Sequence, residues 1–287
     1  MTTAPAAASG PIGFDTLLSR TWALFRRNWI VALPPVIAGF VTIAGMAVFA
    51  GFGIVAVVAA AGTRHAAPAF GAAFVLGYLV FIVFVLLVTL WGYSAMFGMA
   101  DAAWARGTAT FGDGFAAFRS CAGAVVVAGI GVCGLAIAAL ILAIPTLFIA
   151  LLALPLVTMY VMPSVISGRR GGFEAIAESF RLVRRYLGPS VIAILVLLAI
   201  WYGLSFIGAI FIFPLEFSIL PQGSDTMPHM PPIALAVVCG IGYLISILLS
   251  MAYSGFFALA IVGLYRDLAA REGMLPASAD PLASAFT

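Results

Sequence analysis

GRRGGFEAIAESFRLVRR, residues Gly168–Arg185, holds five of the chain's thirteen arginines in eighteen residues. It lies between two long apolar blocks. Phe173, Ile176, Phe180, Val183 and Leu187 recur at spacings of three and four, so a helix places them on one face. Glu174, Glu178, Arg181 and Arg185 fall opposite. Glu178 stands one turn before Arg181, a favourable order for a surface ion pair. Gly171-Gly172 loosens the start, and Gly188-Pro189 is expected to break or bend the exit. The spacing predicts a short amphipathic helix lying in the headgroup plane of a membrane.

Composition supports that setting. Hydrophobic residues make up 64% of the 287 and charged residues only 8%, with mean hydropathy +1.22. A soluble domain carries roughly 25% charged residues. The net charge is only +3 and there is no lysine. No basic patch of a soluble domain is present, so nucleic-acid binding is excluded. Cys121, Cys133 and Cys239 have neither metal-ligand spacing nor an even count, and read as small packing residues.

The remaining chain falls into place around this stretch. Residues 1–13 are rich in Ala and Pro, lack a basic start and read as a disordered cytoplasmic tail. Phe14–Trp29 is a second amphipathic segment. Phe14, Leu17, Leu18, Thr21, Phe25 and Trp29 trace one face, and Asp15, Ser19, Arg26 and Arg27 the other. A span needs about 20 residues. Ile30–Gly62 and Ala69–Ala100 give one span each. Asp101–Thr110 reads as a polar connection and Phe111–Phe118 as a weaker amphipathic segment. Cys121–Ser167 is long enough for two spans turning near Ala143–Thr146, the second made irregular by Pro155 and Pro163. Leu187–Phe213 and Ile233–Leu264 complete six spans. Pro214–Pro232 is a long polar loop, Tyr265–Gly273 a charged exit, and residues 274–287 a flexible cytoplasmic tail. Residues 14–273 are thus a single membrane domain.

The arginines orient it. With residues 1–29 in the cytoplasm, every arginine except Arg64 is cytoplasmic, as positively charged loops require. The three amphipathic segments also align. TWALFRRNW (Thr21–Trp29), GFAAFRSCA (Gly114–Ala122) and SFRLVRRYL (Ser179–Leu187) share a small residue, then an aromatic, then an arginine five places after the small residue. The expected fold is all-α and polytopic: six transmembrane helices and three interfacial amphipathic helices, in a pseudo-threefold repeat of surface helix plus helical hairpin.

Phe14–Trp29, the join Met162–Tyr186 and the ending Leu264–Gly273 resemble the six-helix membrane domain fused to some bacterial glycerophosphodiester phosphodiesterases and found free-standing in YciC-type inner-membrane proteins. The resemblance implies a six-span protein of the bacterial inner membrane. The sequence leaves no stretch for the soluble phosphodiesterase domain, so neither that activity nor any catalytic residue carries over.

Motifs for chemistry are absent: no H-E-x-x-H, no G-x-S-x-G and no phosphate loop. No ionisable residue is expected within a span, Glu216 at the outer end of the fifth coming nearest, which argues against an ion-coupled pump. Arg26, Arg27, Arg169, Arg170, Arg181, Arg184 and Arg185 are candidates for contact with anionic lipid headgroups or a membrane-protein partner. Tyr243, Ser246, Ser250 and Tyr253 share a face of the sixth span. They either line a cavity or hydrogen-bond between packed helices, the commoner role of hydroxyls there. Met227, His229 and Met230, beside Asp225, mix copper-type donors but make an incomplete site. No cofactor is expected. The sequence points to a non-enzymatic scaffold or accessory subunit that packs against a membrane partner or organises lipid. A transporter or lipid flippase with an uncharged cavity is the alternative. A membrane subunit of an enzyme catalysing on another chain is the third.

Overall fold

Proline and arginine placement decides where the helices of this chain start and stop. The computed structural model describes residues 14–61, 67–146, 148–219 and 232–274. Helix α1 is Phe14–Arg27, followed by a 3-10 turn at Trp29–Ala32. Then come α2 (Leu33–Ala61), α3 (Ala67–Arg106), α4 (Phe111–Ala143), α5 (Ile149–Thr158), α6 (Val161–Ile166), α7 (Gly172–Arg185), α8 (Leu187–Ile219) and α9 (Pro232–Arg271). Among the described residues there is no strand. Six segments are long and apolar enough to cross a membrane: Trp29–Val55, Ala73–Arg106, Phe111–Ala143, Ile149–Ile166, Leu187–Ile207 and Gly240–Arg271. The protein is an all-α polytopic membrane fold.

The fourth span is broken at Met159–Tyr160. Pro163 has no N–H for the Met159 carbonyl and its ring crowds that group, so the helix parts one turn earlier. Ser179 of α7 repairs the break. Its hydroxyl donates to the Val157 carbonyl at 2.5 Å and accepts the freed Tyr160 N–H at 3.2 Å. The turn between α4 and α5 begins at residues 144–146, where Pro145 placed it.

The three repeat units close into a ring of contacts. Each amphipathic segment lies against the second span of the preceding unit: α1 against α9, the start of α4 against α3, and α7 against α5 and α6. The burial pattern repeats as well. Thr21, Gly114 and Ser179 are all buried, while Trp22, Phe115 and Phe180 all face outward. The middle segment differs in one respect: Phe111–Phe118 is not a separate helix but the first turns of α4. A capping box starts it, with Thr110 Oγ1 accepting from Asp113 N–H and Asp113 Oδ2 accepting from Thr110 N–H.

Several expected boundaries shift. Asp101–Arg106 is not a connection; it continues α3, and the link shrinks to residues 107–110. Tyr265 is not the start of an exit; α9 runs to Arg271, with Tyr265, Leu268 and Ala269 fully buried. Helix α7 ends at Tyr186 rather than at Gly188-Pro189, because proline is tolerated in the first turn of α8. Helix α8 passes through Pro214 to Ile219. The terminal residues 1–13 and 275–287, with Arg64, Asp225, Met227, His229 and Met230, lie outside the described residues, as does the side chain of Glu216.

Candidate functional site

Two features stand out, a buried polar network at the arginine-rich end and an apolar cavity below it. The network begins with α7. Its protein-facing side is Gly172, Ala175, Glu178, Ser179, Leu182 and Val183. Phe173 and Phe180, on the expected apolar face, point outward at 67% and 53% exposure. The reason is size: only small residues let a helix lie close against α4 and α6, and the aromatics are left for the lipid side. Glu178 is therefore not a surface residue paired with Arg181. It is buried, accepting from Arg170 Nε at 2.7 Å and from Tyr265 Oη at 2.7 Å. Gly168 makes room for this arrangement, since any Cβ there would run into the Tyr265 hydroxyl and the Ser164 carbonyl.

A second cluster joins one residue from each unit. Asp101 of α3 accepts from Ser167 Oγ at 2.6 Å and from Arg266 of α9 at 2.7 Å. Asp101 and Arg266 stand near the ends of α3 and α9, just past the expected spans Ala69–Ala100 and Ile233–Leu264. Asn28 pins the α1–α2 joint to the α3–α4 link. Its amide donates to the Leu24 and Gly107 carbonyls, each at 3.1 Å, and accepts from Ala109 N–H at 2.8 Å. Trp104 lies on Gly263 and donates to the Leu259 carbonyl at 2.7 Å, locking α3 to α9.

The cavity measures about 550 Å³ and draws on α3, α4, α5, α6, α8 and α9, so all three units line it. That volume is within the usual range for small-molecule and cofactor sites, roughly 300–1,000 Å³. Its wall carries no ionisable acid or base of the Asp, Glu, Arg or His type. Thr158, one of its few polar residues, already donates to the Leu154 carbonyl at 2.8 Å. Tyr93 and Phe97 of α3 and Tyr253 and Phe257 of α9 all line it. These belong to a second internal match, GYSAMFGMADAAWAR (Gly92–Arg106) against AYSGFFALAIVGLYR (Ala252–Arg266). The matched serines behave alike: Ser94 donates to Trp91 at 3.0 Å and Ser254 to Met251 at 2.8 Å, each three residues back. Aligning second spans, and not only the amphipathic segments, would have found these residues.

The candidates from sequence are dispersed. Tyr243 and Ser250 line a cavity of about 300 Å³ beside α2. Ser246 and Ser250 line one of about 240 Å³ beside α8. Tyr253 faces the cavity of about 550 Å³ and packs on Trp201 with ring centroids 4.9 Å apart. Ser246 donates to its own helix, at Gly242, 2.9 Å away. Of the arginines, Arg170 binds Glu178, and Arg185 binds Glu272 at 3.0 Å. Arg181 lies 3.9 Å from Glu272, and Arg169 donates to Ser120 at 2.9 Å. Arg26, Arg27 and Arg184 are exposed and make no ion pair with a described residue. No three His, Cys, Asp or Glu side chains converge among the described residues. Compared with protein-family models, curated proteins and solved structures, the chain finds no match.

Proposed function

We propose that this protein is a non-enzymatic membrane protein that holds lipid, acting as a scaffold or accessory subunit in the bilayer. The observation that carries the reading is the apolar cavity of about 550 Å³ built by all three repeat units. A wall of Leu90, Phe97, Val132, Met162, Leu197 and their neighbours offers hydrocarbon contact and almost no polar partner, so its chemistry fits an acyl or isoprenoid chain. The hydroxyls of α9 are spread over more than one cavity, and Ser246 bonds within its own helix, which favours holding over transport. The arginine distribution supports a cytoplasmic location for both ends, and the resemblance in layout supports a bacterial inner membrane, with anionic lipids and a membrane partner as its company. The test is purification in mild detergent followed by mass spectrometry of proteins and lipids. A lipid retained near one per chain, with or without a protein partner, is the expected result. A lone lipid-free monomer contradicts the proposal.

A further inference from the structure

The repeat makes three outward positions equivalent. Trp22, Phe115 and Phe180 occupy the same place in the three amphipathic segments and are 54%, 59% and 53% exposed. Arg26, Arg119 and Arg184 follow each of them by four residues, one helical turn, so aromatic and arginine share a side. All three arginines are exposed, and none forms an ion pair or side-chain hydrogen bond with a described residue. Arg106, Arg181 and Arg271 differ, since Asp113, Glu272 and Asp267 already engage them. The neighbours of the repeated arginines are not equivalent: Arg27, Ser120 and Arg185 stand in the next place. What the repeat preserves is the aromatic and the unpaired cation.

We propose that these pairs form three equivalent seats for the phosphate of anionic phospholipids, spaced around the arginine-rich end. The inference rests on reading the chain as a lipid-engaging membrane protein, but concerns its outer surface and not its cavity. An aromatic ring is stable at the boundary between acyl chains and headgroups. An arginine one turn on extends its stem along that boundary and keeps its guanidinium among the headgroups. There it meets phosphate with bidentate donors and no competing carboxylate. Charge complementarity selects the occupant: three exposed cations at equivalent positions, without a described carboxylate partner, call for an anionic headgroup. Arg119 enters this set on structural equivalence alone.

The test is native mass spectrometry of the full chain, released from detergent with added phosphatidylglycerol or, as the neutral arm, phosphatidylcholine. The wild type is expected to take up to three phosphatidylglycerols beyond its phosphatidylcholine count. Arg26→Gln, Arg119→Gln and Arg184→Gln each remove one, weakening that step about fivefold, and the triple variant removes all three. The control triple Arg106→Gln, Arg181→Gln, Arg271→Gln, with the same charge change, keeps the wild-type count. Equal loss in both triples, or equal uptake of both lipids by the wild type, overturns the proposal. Should the triple not accumulate, the single variants decide: one lipid lost by each supports the seats, and loss at fewer than three positions overturns their equivalence. Lipid held in the cavity is common to both lipid arms, so its presence or absence does not affect this reading.

Discussion

The two ends of the bundle are built differently. At the arginine-rich end the large side chains Met96, Met99, Tyr160, Leu182, Leu259, Leu264 and Tyr265 are fully buried, and Asn28, Asp101, Glu178 and Ser179 tie the units together. Toward the other end Ile43, Phe52, Val75, Leu76, Val80, Leu140, Ile141 and Phe206 all face outward. The helices there meet through local contacts such as the Phe49–Phe81 stack, with centroids 5.1 Å apart. The difference follows from the solvent. Among lipid tails an apolar side chain gains little by choosing protein over acyl chain, so small residues and polar groups decide where helices close. The sparse polar residues, not the abundant apolar ones, hold this bundle in shape.

Substitutions can break that comparison. Glu178→Ala has the largest expected effect. It leaves the buried Tyr265 hydroxyl without its acceptor and frees the part-exposed Arg170, at about 3 kcal/mol, read from denaturation of the purified protein in detergent. Asn28→Ala is next. It orphans the Gly107 carbonyl and the Ala109 N–H together, for about 2–3 kcal/mol in the same assay. Tyr265→Phe removes one of the two donors to Glu178 and keeps the ring, so about 1 kcal/mol is expected. Phe52→Leu at the far end should change stability by less than about 0.5 kcal/mol, because its ring is 71% exposed. A loss at Phe52 as large as that at Asn28 would mean that the two ends are not organised differently.

Much of the layout was legible from the chain. Length and hydropathy located the six spans, Pro145 located a turn, and Pro163 announced an irregular fourth span. The faces of α7 were not legible. Hydrophobic spacing groups Phe173, Phe180 and Val183 on one face, yet Val183 is buried while Phe173 and Phe180 face outward, since a membrane accepts apolar side chains on the outside. Burial of Glu178 could not be read either, since its partners Arg170 and Tyr265 lie 8 and 87 residues away. The same distance effect hid Asn28, whose partners come from the α3–α4 link. Of the candidate site, the tyrosine and serine positions of α9 were named as one stripe, yet helix packing distributes them over more than one cavity. Tyr93 and Phe97 went unnoticed, although the YS-x-x-F match to Tyr253 and Phe257 lay in the sequence.

The account turns on whether the shared cavity takes a hydrocarbon chain. The most direct measurement is lipid retention by native mass spectrometry for two tryptophan variants on the same helix. Val132 lines the cavity, whereas Ile137 is 62% exposed on the outside of α4. Val132→Trp is expected to abolish the retained lipid, and Ile137→Trp to leave it at the wild-type level. Full retention in Val132→Trp, or equal loss in both, would contradict the account.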